Sequence, residues 1–112
     1  MSRDQQSILD IWNAAQEILS FTEGMDQASL TADRRTQAAV LYEIVIIGEA
    51  TNRLSENYRA HHPTVPWKKI IGMRNILAHQ YEKVDADVVW NVVHQDIPEL
   101  MEMIAPFLPD EG

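Results

Sequence analysis

The chain has 112 residues, no cysteine, and seventeen acidic against nine Lys and Arg side chains, for a net charge of −8. That length fits one domain, here taken as residues 1–112, with a core small enough that association with a second copy is a common route to stability. The missing thiols exclude disulfides and Cys-based metal or nucleophile chemistry and point to the cytoplasm, while the acidity argues against non-specific duplex DNA binding, which draws on neutralised phosphates.

No basic-then-apolar leader precedes a small-residue cleavage site, and no apolar run approaches the ~20 residues that span a bilayer, so no membrane association is expected. The charge is unevenly spread. Residues 53–83 hold six basic side chains (Arg53, Arg59, Lys68, Lys69, Arg74, Lys83) against two acids, and the rest of the chain holds three against fifteen. Such a split fits ordinary surface variation and a local phosphate-binding face about equally.

In chain order, Ser2 and Gln5 have capping-box spacing, and Ile8, Ile11, Trp12, Ala15, Ile18 and Leu19 recur at helical intervals, which predicts a first amphipathic helix ending near Phe21. Gly24 and the polar run to Thr31 read as a loop, with Ser29 or Thr31 as the cap of the next helix. From Ala38 to Leu54 the apolar stripe widens until the helix is apolar nearly all round, as expected of a central core helix. The β-branched VLYEIVIIGEA within it is too long for a typical strand. Gly48 costs that helix about 1 kcal/mol against Ala, which close packing of a neighbour would offset. Glu43 and Glu49 on the same helix have the character of solvent-facing charges, with no role assigned.

The segment AHHPTVPW, residues 60–67, interrupts the helical pattern, and Pro66 suits the first turn of a third helix carrying Ile70, Ile71, Met73, Ile76 and Leu77. Asp85 offers a cap to a fourth helix through Val88, Val89, Trp90, Val92 and Val93, where a buried strand is the alternative. Asp96 and Glu99 have capping-box spacing for a short fifth helix before Pro106. The expected fold is all-α: a compact bundle of four to five helices joined by short loops. His61 and His62 lie in a proline-bounded segment with no acid in metal-ligand register, and His94 sits on a helix that already offers enough core residues, so all three read as surface or packing residues and no metal site or cofactor is expected.

The chemistry concentrates in GMRNILAHQY, residues 72–81. Arg74 is a permanent cation with a planar fork that suits phosphate, and His79 is the side chain able to give or take a proton near neutral pH. Asn75 can orient a site or a water. On an ideal helix five positions turn through roughly 500°, leaving Arg74 and His79 about 140° apart. Either the helix ends before His79, or the working site combines residues from two copies across a symmetric interface, and the two options are compatible. Taken alone, the same residues also fit a surface ion pair and a helix-end histidine.

Arg74, four intervening residues, His79, one residue and Tyr81 make a pattern that resembles the Arg-x-x-x-x-His-x-Tyr motif of HepT-like toxins in the HEPN superfamily. IGEATNRLS (47–55), the Pro63 to Trp67 segment, VDADVVWNVV and DIPEL resemble successive landmarks of that family, spanning roughly residues 38–103. The resemblance implies an all-helical, HEPN-like homodimer whose two motifs line one cleft. It further implies a metal-independent ribonuclease acting as the toxin of a type VII-like toxin-antitoxin pair, with Arg74 and His79 as the catalytic pair and Asn75 in support. Tyr81 matches the tyrosine that a MntA-like nucleotidyltransferase antitoxin modifies with AMP. Two other readings use the same residues: a non-catalytic module that binds a nucleotide or supports a nucleotidyltransferase, and a purely structural dimer.

Overall fold

In a computed structural model of the chain, residues 1–79 and 86–109 are described, with the side chains of residues 74–79 and 86 outside that description. Every regular element among the described residues is helical: α1 (Arg3–Phe21), α2 (Gln27–Ala32), α3 (Arg34–Arg53), α4 (Glu56–His61), α5 (Trp67–His79), α6 (Ala86–Asn91) and α7 (Ile97–Ile104). A π-helical turn, Val92–Asp96, joins α6 to α7, and a 3-10 turn, Ala105–Phe107, follows α7.

The first helix starts as its sequence predicts. Ser2 Oγ accepts from the Gln5 N–H at 3.1 Å and Gln5 Oε1 accepts from the Ser2 N–H at 2.9 Å, which satisfies two of the donors a helix start leaves open. After α1 the chain turns at Gly24, whose φ of 77° lies where a Cβ is disfavoured. The polar run that then reads as a loop folds instead into α2, and the caps are neither Ser29 nor Thr31. Asp26 accepts from the Ser29 N–H at 2.8 Å, and Asp33 accepts from the Thr36 N–H at 3.0 Å to open α3. Carboxylates outrank hydroxyls here because an ionised acceptor beside the positive end of a helix gains charge assistance as well as a hydrogen bond. Those bonds hold the Asp26 and Asp33 carboxyls below the ordinary aspartate value, backbone donors contributing most.

The long second helix of the sequence reading is α3, and it is the core helix. It packs between α1 and α5, while α7 closes on α1 and α2 meets α6. Ile8, Ile11 and Ile18 of α1 and Val40, Ile44 and Ile47 of α3 are buried together with Ile97, Leu100 and Ile104 from the C-terminal end. Gly48 lies buried on α3, as the propensity argument requires of a mid-helix glycine. Thr51, also buried, turns its hydroxyl back to the Ile47 carbonyl at 2.7 Å, so its polar group enters the core satisfied.

Between α3 and α5 stands α4, an element with no apolar stripe to announce it. Ser55 caps it by accepting from the Tyr58 N–H at 3.0 Å. Ser55 is itself held by Asp4 at the start of α1, whose carboxylate accepts from the Ser55 N–H and hydroxyl, both at 2.8 Å. The first of these lowers the Asp4 carboxyl most, and the second adds to it.

At the C-terminal side the structure corrects one expectation. Asp96 does not cap a fifth helix: it has helical backbone angles and makes no capping bond. The chain runs through the π turn instead, where the Ile97 N–H reaches back five residues to the Val92 carbonyl. Pro98 supplies the reason. Its ring has no N–H for the His94 carbonyl and would collide with it in a regular α-helix, and widening the preceding turn relieves both problems without ending the helix. The run from Val88 to Val93 is helical throughout, which decides against the strand alternative.

Candidate active site

Helix α5 carries the Arg74 to His79 run, and its position is set at its entrance. Trp67 is buried, and its indole N–H reaches the Arg59 carbonyl at 3.2 Å and the His62 carbonyl at 3.1 Å, tying the first turn of α5 to the end of α4. The Pro66 carbonyl accepts from the Ile70 N–H at 3.1 Å, so the proline that cannot donate begins the helix by accepting. Ile70 and Met73 are buried, which turns one face of α5 into the core and fixes the rotation of the turns beyond.

The backbone is helical from Trp67 through His79 without interruption. Arg74 and Asn75 thus stand about one turn before His79, the last described residue of α5. Of the two arrangements open from the sequence, a helix ending before His79 is not the one adopted. The two Cα positions lie about 140° apart around the axis, as five helical steps require. Tyr81 lies outside the described residues, as does Asp85, the expected cap of α6.

The other histidines take structural positions. His61 Nδ1 lies 2.6 Å from the Asn57 carbonyl, an acceptor only, so this nitrogen carries the proton. His62 packs its ring between Tyr58 and Phe107, at centroid distances of 4.5 and 4.1 Å, and holds the 3-10 turn against α4. His94 stacks on Trp90 at 5.2 Å. Among the described residues no group of three or more His, Cys, Asp or Glu side chains could hold a metal ion, and no helix is long and apolar enough to cross a membrane.

Among the described basic residues of the stretch 53–83, Arg53 and Lys69 line different grooves. Arg53 turns toward α1 and pairs with Asp10 at 3.2 Å, in a groove it shares with Glu17, Glu43 and Glu49. Burial raises the Glu43 carboxyl above the usual range, with the Glu17 charge adding to it. Lys69, on α5, lies near Asp96 at 3.9 Å. There the helix borders two adjoining grooves that no motif in the sequence announces. One, of about 500 Å³, opens between α5 and the α6–π segment, and a smaller one of about 230 Å³ opens between α5 and α7. Both are lined by Lys69, Met73 and Asp96.

The model of the family described as Ribonuclease HepT-like matches residues 11–107. The chain belongs to that family. A protein of Methanocaldococcus jannaschii named "Putative RNase MJ1380" is 33% identical over 103 residues, covering 91% of this chain and 94% of its own. One of Thermococcus cleftensis named "Probable ribonuclease HepT" is 37% identical over 101 residues, covering 89% of this chain and 92% of its own. No solved structure matches the chain significantly.

Proposed function

We propose that this protein is a metal-independent endoribonuclease, the toxin of a type VII-like toxin-antitoxin pair, cleaving RNA at a site assembled from Arg74 and His79 of two protomers. Family membership across nearly the whole chain carries the reading. The unbroken helix through Arg74 and His79 supports the two-protomer arrangement, since one helix presents the pair on divergent sides.

In this mechanism His79 takes the proton of a ribose 2′-hydroxyl, whose oxygen attacks the adjacent phosphorus. The bond from phosphorus to the 5′-oxygen breaks, and the departing oxygen takes a proton from solvent water, to which the His79 imidazolium later returns the proton it took. The products are a 2′,3′-cyclic phosphate and a 5′-hydroxyl. A positioned imidazole contributes about 10²–10⁴-fold to such a step. The Arg74 guanidinium stabilises charge that grows on the phosphoryl oxygens, with no divalent ion called for, and Asn75 orients the site. Tyr81, two residues beyond His79, is the switch. AMP added to its phenol by a MntA-like nucleotidyltransferase would bring phosphate charge and a purine to the place the RNA phosphate occupies, opposing substrate by repulsion and bulk.

Mixing two inactive variants tests the composite site. A dimer of one Arg74→Ala and one His79→Ala chain holds one intact site if the pair comes from two protomers, so RNA cleavage in EDTA should return on mixing. Failure to recover activity, with mixed dimers shown by native mass spectrometry, would sink the two-protomer site, and activity that depends on a divalent ion would sink the metal-free step. For the switch, incubation with the nucleotidyltransferase and ATP should add AMP-sized mass to the unaltered chain and none to Tyr81→Phe. Mass added at another residue would reassign it.

A further inference from the structure

The two grooves along α5 are a single feature divided at one point. Lys69 and Asp96 stand at the division, and Met73 belongs to both sides. The larger groove has the size of a small-molecule site, and Val88 and Val92 of the facing segment give it an apolar floor. Gly72 lies on its α5 wall. A Cβ built there meets nothing within 4 Å, so the fold itself makes no use of that glycine, which weakens the helix relative to alanine. Space left open on the wall of a groove, two residues before Arg74, has a use if something outside the chain occupies it.

The polar groups at the division describe the occupant. Lys69 is 63% exposed and sits 3.9 Å from Asp96, a long and weak pairing that a better anion displaces. Asp96 is only 18% exposed, so its carboxylate, once released, faces the groove and needs donors. The other groove acid, Asp87, already accepts from the Gln27 side-chain amide. A ligand that offers an anion to Lys69, a flat apolar face to Val88 and Val92, and paired N–H donors to Asp96 satisfies all of them. A guanine nucleotide has each part. Of the four RNA bases, guanine alone presents two adjacent donors, N1–H and N2–H, that match both oxygens of a carboxylate.

We propose that the groove between α5 and the α6–π segment is a guanine-preferring base subsite for the single-stranded RNA cleaved at the neighbouring motif, with Lys69 holding a flanking phosphate and Asp96 reading the Watson–Crick edge. The inference rests on the ribonuclease reading for its polymer, and binding of free nucleotides tests it separately. Methyl NMR of the full chain, titrated with GMP, AMP, CMP and UMP, reports on Val88, Val92 and Met73. GMP should shift these methyls with an affinity about tenfold above that of AMP, the factor one good bidentate contact supplies. Asp96→Asn should level GMP with AMP. Lys69→Ala should weaken all four nucleotides and leave guanosine unchanged. Gly72→Leu, which fills the open wall, should abolish the shifts while circular dichroism stays the same.

The proposal is overturned if no nucleotide moves these methyls at millimolar concentration, or if Asp96→Asn leaves the preference for GMP intact. It is overturned equally if Gly72→Leu turns a dimer into a monomer by light scattering, which would make the groove a contact between copies. RNA cleavage by the unaltered chain without GMP binding removes the subsite alone. GMP binding by a chain that cleaves no RNA removes the ribonuclease reading and keeps the guanine site.

Discussion

The α1–α3 side of the molecule and the α5–α7 side are built to different standards. On the first, helix starts are closed by side-chain caps, and Ile8, Ile11, Ile18, Ile44 and Ile47 are buried to within 1% of full exclusion. On the second, the helix from α6 to α7 passes through a π turn without a side-chain cap at Asp96, an ion pair sits at 3.9 Å, and α5 borders two open grooves. Both sides are helical and both contribute to the core, so the difference is one of completeness. The well-packed side supplies the stability that lets the other leave polar groups and space available, which is where a ligand can be held.

The sharpest way to break that comparison is to alter the motif. His79→Ala and Arg74→Ala should each lower RNA cleavage by about 10²-fold or more while thermal unfolding moves little, since neither change empties the α1–α3 core. Arg74→Lys should restore little, because an ammonium keeps the charge and loses the two-pronged geometry. A large drop in melting temperature with proportional loss of activity would show instead that these residues serve the fold.

The converse substitution probes the packed side. Ile47→Ala removes a fully buried side chain from the middle of α3 and should cost about 2–5 kcal/mol in urea unfolding, with cleavage by the folded fraction preserved. A cost below about 1 kcal/mol would mean that α3 is not the stability centre assigned to it.

Acid tests the caps. Asp4, Asp26 and Asp33 all have folded values below the ordinary one, because they accept from Ser55, Ser29 and Thr36. The stability they add is fully present above the unfolded aspartate value and disappears as pH falls through the lowered folded values. Asp33→Asn should therefore flatten the acid limb of the stability curve, as proton uptake at that cap is removed. An unchanged limb would place acid sensitivity elsewhere.

Two smaller effects sharpen the contrast. Gly72→Ala should raise stability by up to about 1 kcal/mol, because the helix gains and the added methyl enters open space. A loss would show that the groove wall is tighter than it stands here. For Glu43 the sign runs opposite to the caps: its raised value means the ionised form is disfavoured in the folded chain, so Glu43→Gln should stabilise slightly at neutral pH. That gain should vanish in acid, where glutamate is already protonated; a gain that persists there would have a cause other than charge.

Periodicity was enough to read α1, α3 and α5, because each has an apolar stripe several turns long, and the Ser2–Gln5 box marked a start at atomic detail. The position of Arg74, Asn75 and His79 late on α5 was legible for the same reason. Short helices were not. Helices α2 and α4 have six residues each, too few for a stripe, and they exist because Asp26 and Ser55 find backbone donors close at hand. Asp96 illustrates the limit. Its spacing from Glu99 satisfies a capping rule, yet Pro98 shifts the chain into a π turn and leaves the carboxylate facing Lys69 across the bundle. Local pattern by itself determined the helical class, the three long helices and the residues with chemistry to offer. Which of those helices lie side by side, and hence the paired grooves along α5, only the tertiary structure decided, because a groove is made by residues far apart in sequence whose meeting no local rule encodes.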